Sequence, residues 1–78
     1  MNTINVLNTQ YLHSANRTIE TISINNKVFY IYNHQGQYFR LFDQKEELGN
    51  YLDAKPYKML CEFYSEEALD NYLLQASK

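Results

Sequence analysis

The sequence predicts a two-layer α+β domain: a four-stranded, mostly antiparallel sheet with two helices on one face, in the order β-β-β-α-β-α. Three observations predict it. The middle of the chain holds three short runs alternating apolar and polar residues, split by turn formers, which is the period of a strand. The C-terminal half twice runs from an aromatic stretch into apolar residues spaced three and four apart, the period of a helix. A chain of 78 residues with 45% hydrophobic content suffices for one core, so residues 1–78 read as a single domain.

Residues 1–17 carry the weakest pattern. Ile4, Val6 and Leu7 suit an edge strand, whereas Leu7, Tyr11 and Leu12 have helical spacing, and the Asn-rich composition supports neither strongly. The favoured reading is a short extra strand followed by an extended, partly exposed segment. Thr18–Ile24 and Lys27–Tyr32 then alternate, and Asn25-Asn26 supplies the two positive-φ positions of a type I′ turn. Asn33-His34-Gln35-Gly36 fits a type I turn closed by a glycine bulge, which makes Gln37–Phe42 the next strand.

These turns set a register. Ile22 faces Phe29 and Glu20 faces Ile31, while across the second turn Ile31 lies near Phe39, Tyr32 near Tyr38 and Tyr30 near Arg40. One face then collects Ile22, Ile24, Phe29, Ile31, Phe39 and Leu41, the composition of a core-facing surface. The opposite face collects Thr21, Ser23, Val28, Tyr30, Tyr32, Tyr38 and Arg40 and is expected to face solvent.

Asp43 with Glu46 is a capping-box variant opening a helix that ends near Leu52, with the stripe Leu48, Tyr51 and Leu52. Ala54-Lys55-Pro56 breaks it. Tyr57–Phe63 alternates as a fourth strand, and a right-handed crossover through the helix would leave it parallel to a neighbour. Ser65 is the expected N-cap of a last helix reaching about Ala76, with the stripe Leu69, Tyr72, Leu73 and Ala76. Leu48, Leu52, Met59, Cys61, Phe63, Leu69 and Leu73 join the sheet residues in the expected core. An offset of 21 aligns Phe42, Glu46, Leu48, Asn50, Tyr51 and Leu52 with Phe63, Glu67, Leu69, Asn71, Tyr72 and Leu73. Convergence of two amphipathic helices on one sheet accounts for this echo, and true duplication is the alternative.

Composition narrows the function. The net charge of −2 disfavours an electrostatic binder of nucleic acid or anionic membrane. Charge is uneven: residues 1–42 carry +2, and residues 43–78 carry −4 from eight carboxylates against four lysines. One cysteine excludes an internal disulfide, and with no membrane span or signal-peptide core the expected location is the cytoplasm. Two glycines are too few for a phosphate-cradling loop. Cys61 with His13 or His34 is the one conceivable nucleophile–base pair, but the alternation of Met59, Cys61 and Phe63 reads as a buried, inert thiol. Both histidines lack a third ligand at metal spacing. Glu46-Glu47 and Glu66-Glu67 open helices, where they complement the helix dipole without acid–base chemistry. No catalytic residue, metal or cofactor is expected.

Eight tyrosines without a tryptophan point instead to contact surfaces. Tyr30, Tyr32, Tyr38 and Arg40 are the residue types that anchor protein interfaces, against the plain alternative that paired tyrosines merely stabilise the sheet. Exposed rings also stack on single-stranded nucleic acid, but few cations stand beside them. The stretch Arg40-Leu41-Phe42-Asp43-Gln44-Lys45-Glu46-Glu47-Leu48 resembles the strand-to-helix junction of a family of small type I-F anti-CRISPR proteins, and Tyr11-Leu12 with Ser14-Ala15 is similar to its early Tyr-Leu segment. The resemblance implies a tyrosine-bearing sheet face that binds a CRISPR surveillance complex and blocks target DNA, and it adds Tyr11 to the contact residues. The expectation is a small non-catalytic, phage-type inhibitor of a host defence complex with a protein partner. A homodimeric regulatory or assembly module and a single-stranded nucleic-acid binder are the alternatives.

Overall fold

A computed structural model describes residues 4–12 and 16–76. The chain is α+β; its described residues form five strands in one open antiparallel sheet and two helices. The strands are β1 (Asn5–Tyr11), β2 (Arg17–Ile24), β3 (Lys27–His34), β4 (Tyr38–Phe42) and β5 (Cys61–Phe63); the helices are α1 (Lys45–Leu52) and α2 (Glu66–Ala76). Spatial order follows chain order, so the sheet is a meander. The extra N-terminal strand is present as β1, paired with β2 and bulged at Leu7.

The central hairpin forms as its residues dictate. Asn25 and Asn26 hold φ of 51° and 65°, the paired positive values of a type I′ turn, and Ile22 faces Phe29 while Glu20 faces Ile31. The second turn lies one residue later than expected. Gln35 and Gly36 carry the positive φ values, 55° and 72°, and the Gln37 amide donates to the His34 carbonyl at 2.8 Å. Asn33 is not the first turn residue; its side-chain oxygen accepts from the Gly36 amide at 2.9 Å. β3 therefore extends to His34, and the pairs become His34 with Tyr38, Tyr32 with Arg40 and Ile31 with Leu41. The slip is two residues, so each side chain keeps its face.

One sheet face carries Ile22, Ile24, Phe29, Ile31, Phe39 and Leu41, all buried with Leu69 and Leu73 of α2. We call it the isoleucine face. The other, the tyrosine face, buries Ile19, Tyr32 and Phe42 against Leu48 of α1, with Tyr30, Tyr38 and Tyr51 packed around them. The helices thus lie on opposite faces, which corrects the expectation of two layers with both helices on one side. The ends of the strands explain it. Phe42 closes β4 with its ring on the tyrosine face, and α1 starts too soon afterwards to cross the sheet. Phe63 closes β5 opposite Phe39, on the isoleucine face, where α2 follows.

The strand after α1 also differs. β5 is antiparallel to β4, pairing Cys61 with Leu41 and Phe63 with Phe39, in place of the expected parallel crossover. Only three residues of the expected Tyr57–Phe63 strand pair. Just before them the Leu60 amide still donates to the Leu41 carbonyl at 2.8 Å, and the residues further back are held by the helix: the Lys58 amide donates to Glu47 Oε1 at 3.3 Å, and the Tyr57 ring packs edge-on against Tyr51 at 4.9 Å. Met59 is consequently 37% exposed and Leu52 is 42% exposed, so neither joins the core, and Cys61 and Phe63 are half-buried. Ile19, Tyr32 and Phe42 take their place.

The helix ends divide. The Ala68 amide donates to Ser65 Oγ at 3.1 Å, the expected cap of α2. The α1 N-cap is Gln44 without a side-chain cap bond, so the Asp43–Glu46 capping box does not form. Its C-terminus closes when Lys55 N–H bonds Asn50 O at 2.8 Å and Ala54 N–H bonds Tyr51 O at 3.2 Å, with Ala54 at φ 59°.

Candidate functional site

Covering the tyrosine face does not erase it; it turns the centre into a support and leaves a rim. Tyr32 lies in the middle of β3 and is 1% exposed, so it is no surface anchor. Its hydroxyl accepts from Arg17 Nε at 2.7 Å and bonds His34 Nδ1 at 2.9 Å, which satisfies a phenol that would be costly to bury unpaired. The His34 ring stacks on Tyr38, 4.7 Å away and 7° from parallel. The register puts His34 opposite Tyr38 and Tyr32 opposite Arg40, so strand pairing builds this part of the cluster.

The rest comes from α1 and the segment behind it. Arg40 lies over the Tyr38 ring at 5.0 Å and the Tyr51 ring at 4.8 Å, close enough for cation–π attraction. Its Nη1 donates to the Tyr57 hydroxyl at 2.7 Å. Glu62, opposite Arg40 in β5, brings Oε2 to 3.4 Å from Nε, an ion pair without hydrogen-bond alignment. The Tyr64 hydroxyl donates to the other Glu62 oxygen at 2.6 Å. Burial works against the Arg40 charge, but the phenol oxygens of Tyr51 and Tyr57 and the Glu62 carboxylate outweigh it and raise the guanidinium above its ordinary value. Burial, reinforced by a hydrogen bond with Tyr38, raises the Tyr51 phenol well above 10.0. The hydrogen bond to Glu62 raises Tyr64. Each of these three shifts holds its group, Arg40, Tyr51 or Tyr64, more firmly in the protonated form.

The structure therefore brings Tyr38 and Arg40 together at the surface and Tyr32 beneath them. Tyr30 is half-buried between α1 and the sheet, and Tyr11 stands apart on β1, 72% exposed. Sequence reasoning missed His34, Tyr51, Tyr57, Glu62 and Tyr64. In the sequence Tyr51 reads as part of an apolar stripe and Tyr57 as part of a strand; the Arg40–Glu62 pairing follows only from β5 running antiparallel to β4. Cys61 lies on the isoleucine face and His34 on the other, so these two are not brought together, and His13 lies outside the described residues. Among the described residues no three His, Cys, Asp or Glu side chains gather as a metal site, and no helix is long and apolar enough to cross a membrane.

Chemically the rim offers flat rings, phenol hydroxyls and one guanidinium, held in place by each other. Comparison with family models, curated proteins and solved structures finds no match for this chain.

Proposed function

We propose that this protein is a non-catalytic binding module that inhibits a host defence complex by occupying one of its functional surfaces, in the manner of the small anti-CRISPR proteins its Arg40–Leu48 stretch resembles. The observation that carries the reading is the Tyr38–Arg40–Tyr57–Tyr64 rim on a rigid sheet. Tyrosine and arginine dominate interface hot spots. Here they are already immobilised by stacking and hydrogen bonds, so little side-chain entropy remains to be lost on docking. The carboxylates of residues 43–78 favour a basic groove that normally holds nucleic acid, with a salt-sensitive on-rate. Direct nucleic-acid binding through the rings is the weaker reading, because Glu62 already engages the rim's cation.

The test is phage plating on cells with an active type I-F CRISPR system that express the protein. Wild type should restore plating. Tyr38→Ala/Tyr57→Ala should keep the circular dichroism of the wild type and lose protection, each hot spot costing about 2 kcal/mol or roughly 30-fold in affinity. Unrestored plating rejects the CRISPR target. A folded double variant that still protects rejects the rim as the interface.

A further inference from the structure

We infer that the β1 edge, with the groove beside it on the isoleucine face, is a receptor for an extended, lysine- or arginine-bearing strand of a partner protein. This does not rest on the tyrosine rim, which lies at the other side of the sheet. β1 is an edge strand of seven residues, every one exposed, with neither charge nor proline. Val6 is 57% exposed and Leu7 58%. Proteins commonly blunt such edges with lysine, proline or extreme shortness, because unpaired backbone amides and carbonyls template another strand. The opposite edge, β5, has only three residues; β1 carries a single bulge at Leu7.

The two faces flanking β1 say what the added strand looks like. On the isoleucine face a groove of about 260 Å³ runs from Val6 over Ile22 to Leu69, and Glu20, Glu66 and Asp70 line it. Among the described residues none of these carboxylates has an ion-pair partner. A long aliphatic stem ending in a cation fits that combination of apolar floor and acidic lining. On the tyrosine face the groove beside β1 is about 210 Å³, lined by Ile19, Leu48 and Leu52, with Lys45 also present, which favours small apolar side chains and disfavours another cation. Alternate residues of an added strand point to alternate faces, so the receptor calls for cationic and aliphatic residues in turn. A second copy of the chain fits poorly: its β1 has no cation to offer, and pairing would set two acidic grooves side by side.

The experiment uses the full chain and two fluorescent seven-residue peptides, matching β1 in length, one alternating lysine with valine and one alternating glutamate with valine. Fluorescence anisotropy at low salt should show binding of the lysine peptide only. Glu20→Gln/Asp70→Asn should weaken it about fivefold, the scale of two exposed ion pairs. Amide hydrogen exchange in β1 should slow in the complex, as strand addition requires and loose charge attraction does not. Tyr38→Ala/Tyr57→Ala should bind the peptide like wild type, which separates this surface from the inhibitory rim. Equal binding of both peptides, no binding, unchanged β1 exchange, or a concentration-dependent dimer abolished by Leu7→Lys would each overturn the proposal.

Discussion

Tyr32 shows how one position carries both layers of the tyrosine face. Its ring fills the space between Ile19, Phe42 and Leu48, while its hydroxyl ties Arg17 to His34. Tyr32→Phe keeps the ring and strands two polar partners, so it should cost about 1 kcal/mol; Tyr32→Ala also opens a cavity and should cost about 3–5 kcal/mol. Urea midpoints at constant m-value measure both. Tyr51 makes a pH prediction. Its folded-state pKa lies above the ordinary 10.0, so the folded chain holds that proton more tightly than the unfolded chain does. Its contribution is complete below the unfolded value and is lost as pH rises beyond it. As pH rises above about 10 the urea midpoint should fall, and Tyr51→Phe should flatten that fall.

At the scale of elements, the two strand–helix units of the sequence echo are alike in contact and opposite in placement. Phe42 meets Tyr51 at 5.8 Å, and their 21-residue equivalents Phe63 and Tyr72 meet at 5.3 Å. Gln44 and Ser65 are equivalent N-caps, but only Ser65 bonds the helix. The register pairs Phe39 with Phe63 and Leu41 with Cys61, so odd-numbered residues of β4 and β5 share a face, an odd offset puts equivalent side chains on opposite faces, and each helix follows its phenylalanine. Turn chemistry is equally local. Ala54 ends α1 at φ 59°, where a Cβ is unfavourable. Ala54→Gly should therefore stabilise the protein by about 0.5–1 kcal/mol, visible as a higher thermal midpoint. Gly36 sits at φ 72° with open space around it, so Gly36→Ala should destabilise by about 1 kcal/mol through backbone strain alone. A thermal scan of the two variants should show shifts of opposite sign.

At the scale of the whole molecule, the sheet separates two small cores among the described residues. Ile22 belongs to the isoleucine face and Ile19 to the tyrosine face of the same strand. Ile19→Val and Ile22→Val should each cost about 0.5–1.5 kcal/mol and add within about 0.5 kcal/mol when combined. Ile22→Val with Ile31→Val, inside one cluster, is expected to depart from additivity. Denaturant titration of the two double variants checks this. A chain this size has little stability to spare, so Ile31→Ala or Phe39→Ala, at about 2–5 kcal/mol, should leave a large unfolded fraction at room temperature.

Local chemistry made much of this protein legible from its residues. Alternation located the central strands, Asn25-Asn26 set their register, Ser65 marked the start of α2, and the apolar face Ile22 to Leu41 was readable because a period of two admits only two sortings of side chains. The tertiary structure decided what pattern alone leaves open. Amphipathic stripes tell how a helix buries itself but not which face of a sheet it buries, so α1 was free in the sequence to leave the tyrosines open, and in the fold it covers Tyr32. The direction of β5 depends on where the segment after α1 is tied, and Glu47 and Tyr51 hold it there through Lys58 and Tyr57. The rim of the candidate site follows from that direction. Arg40 meets Glu62 and Tyr57 only because distant segments fold back beside β4, and side-chain contacts between residues so far apart in the chain leave no periodic trace in the sequence.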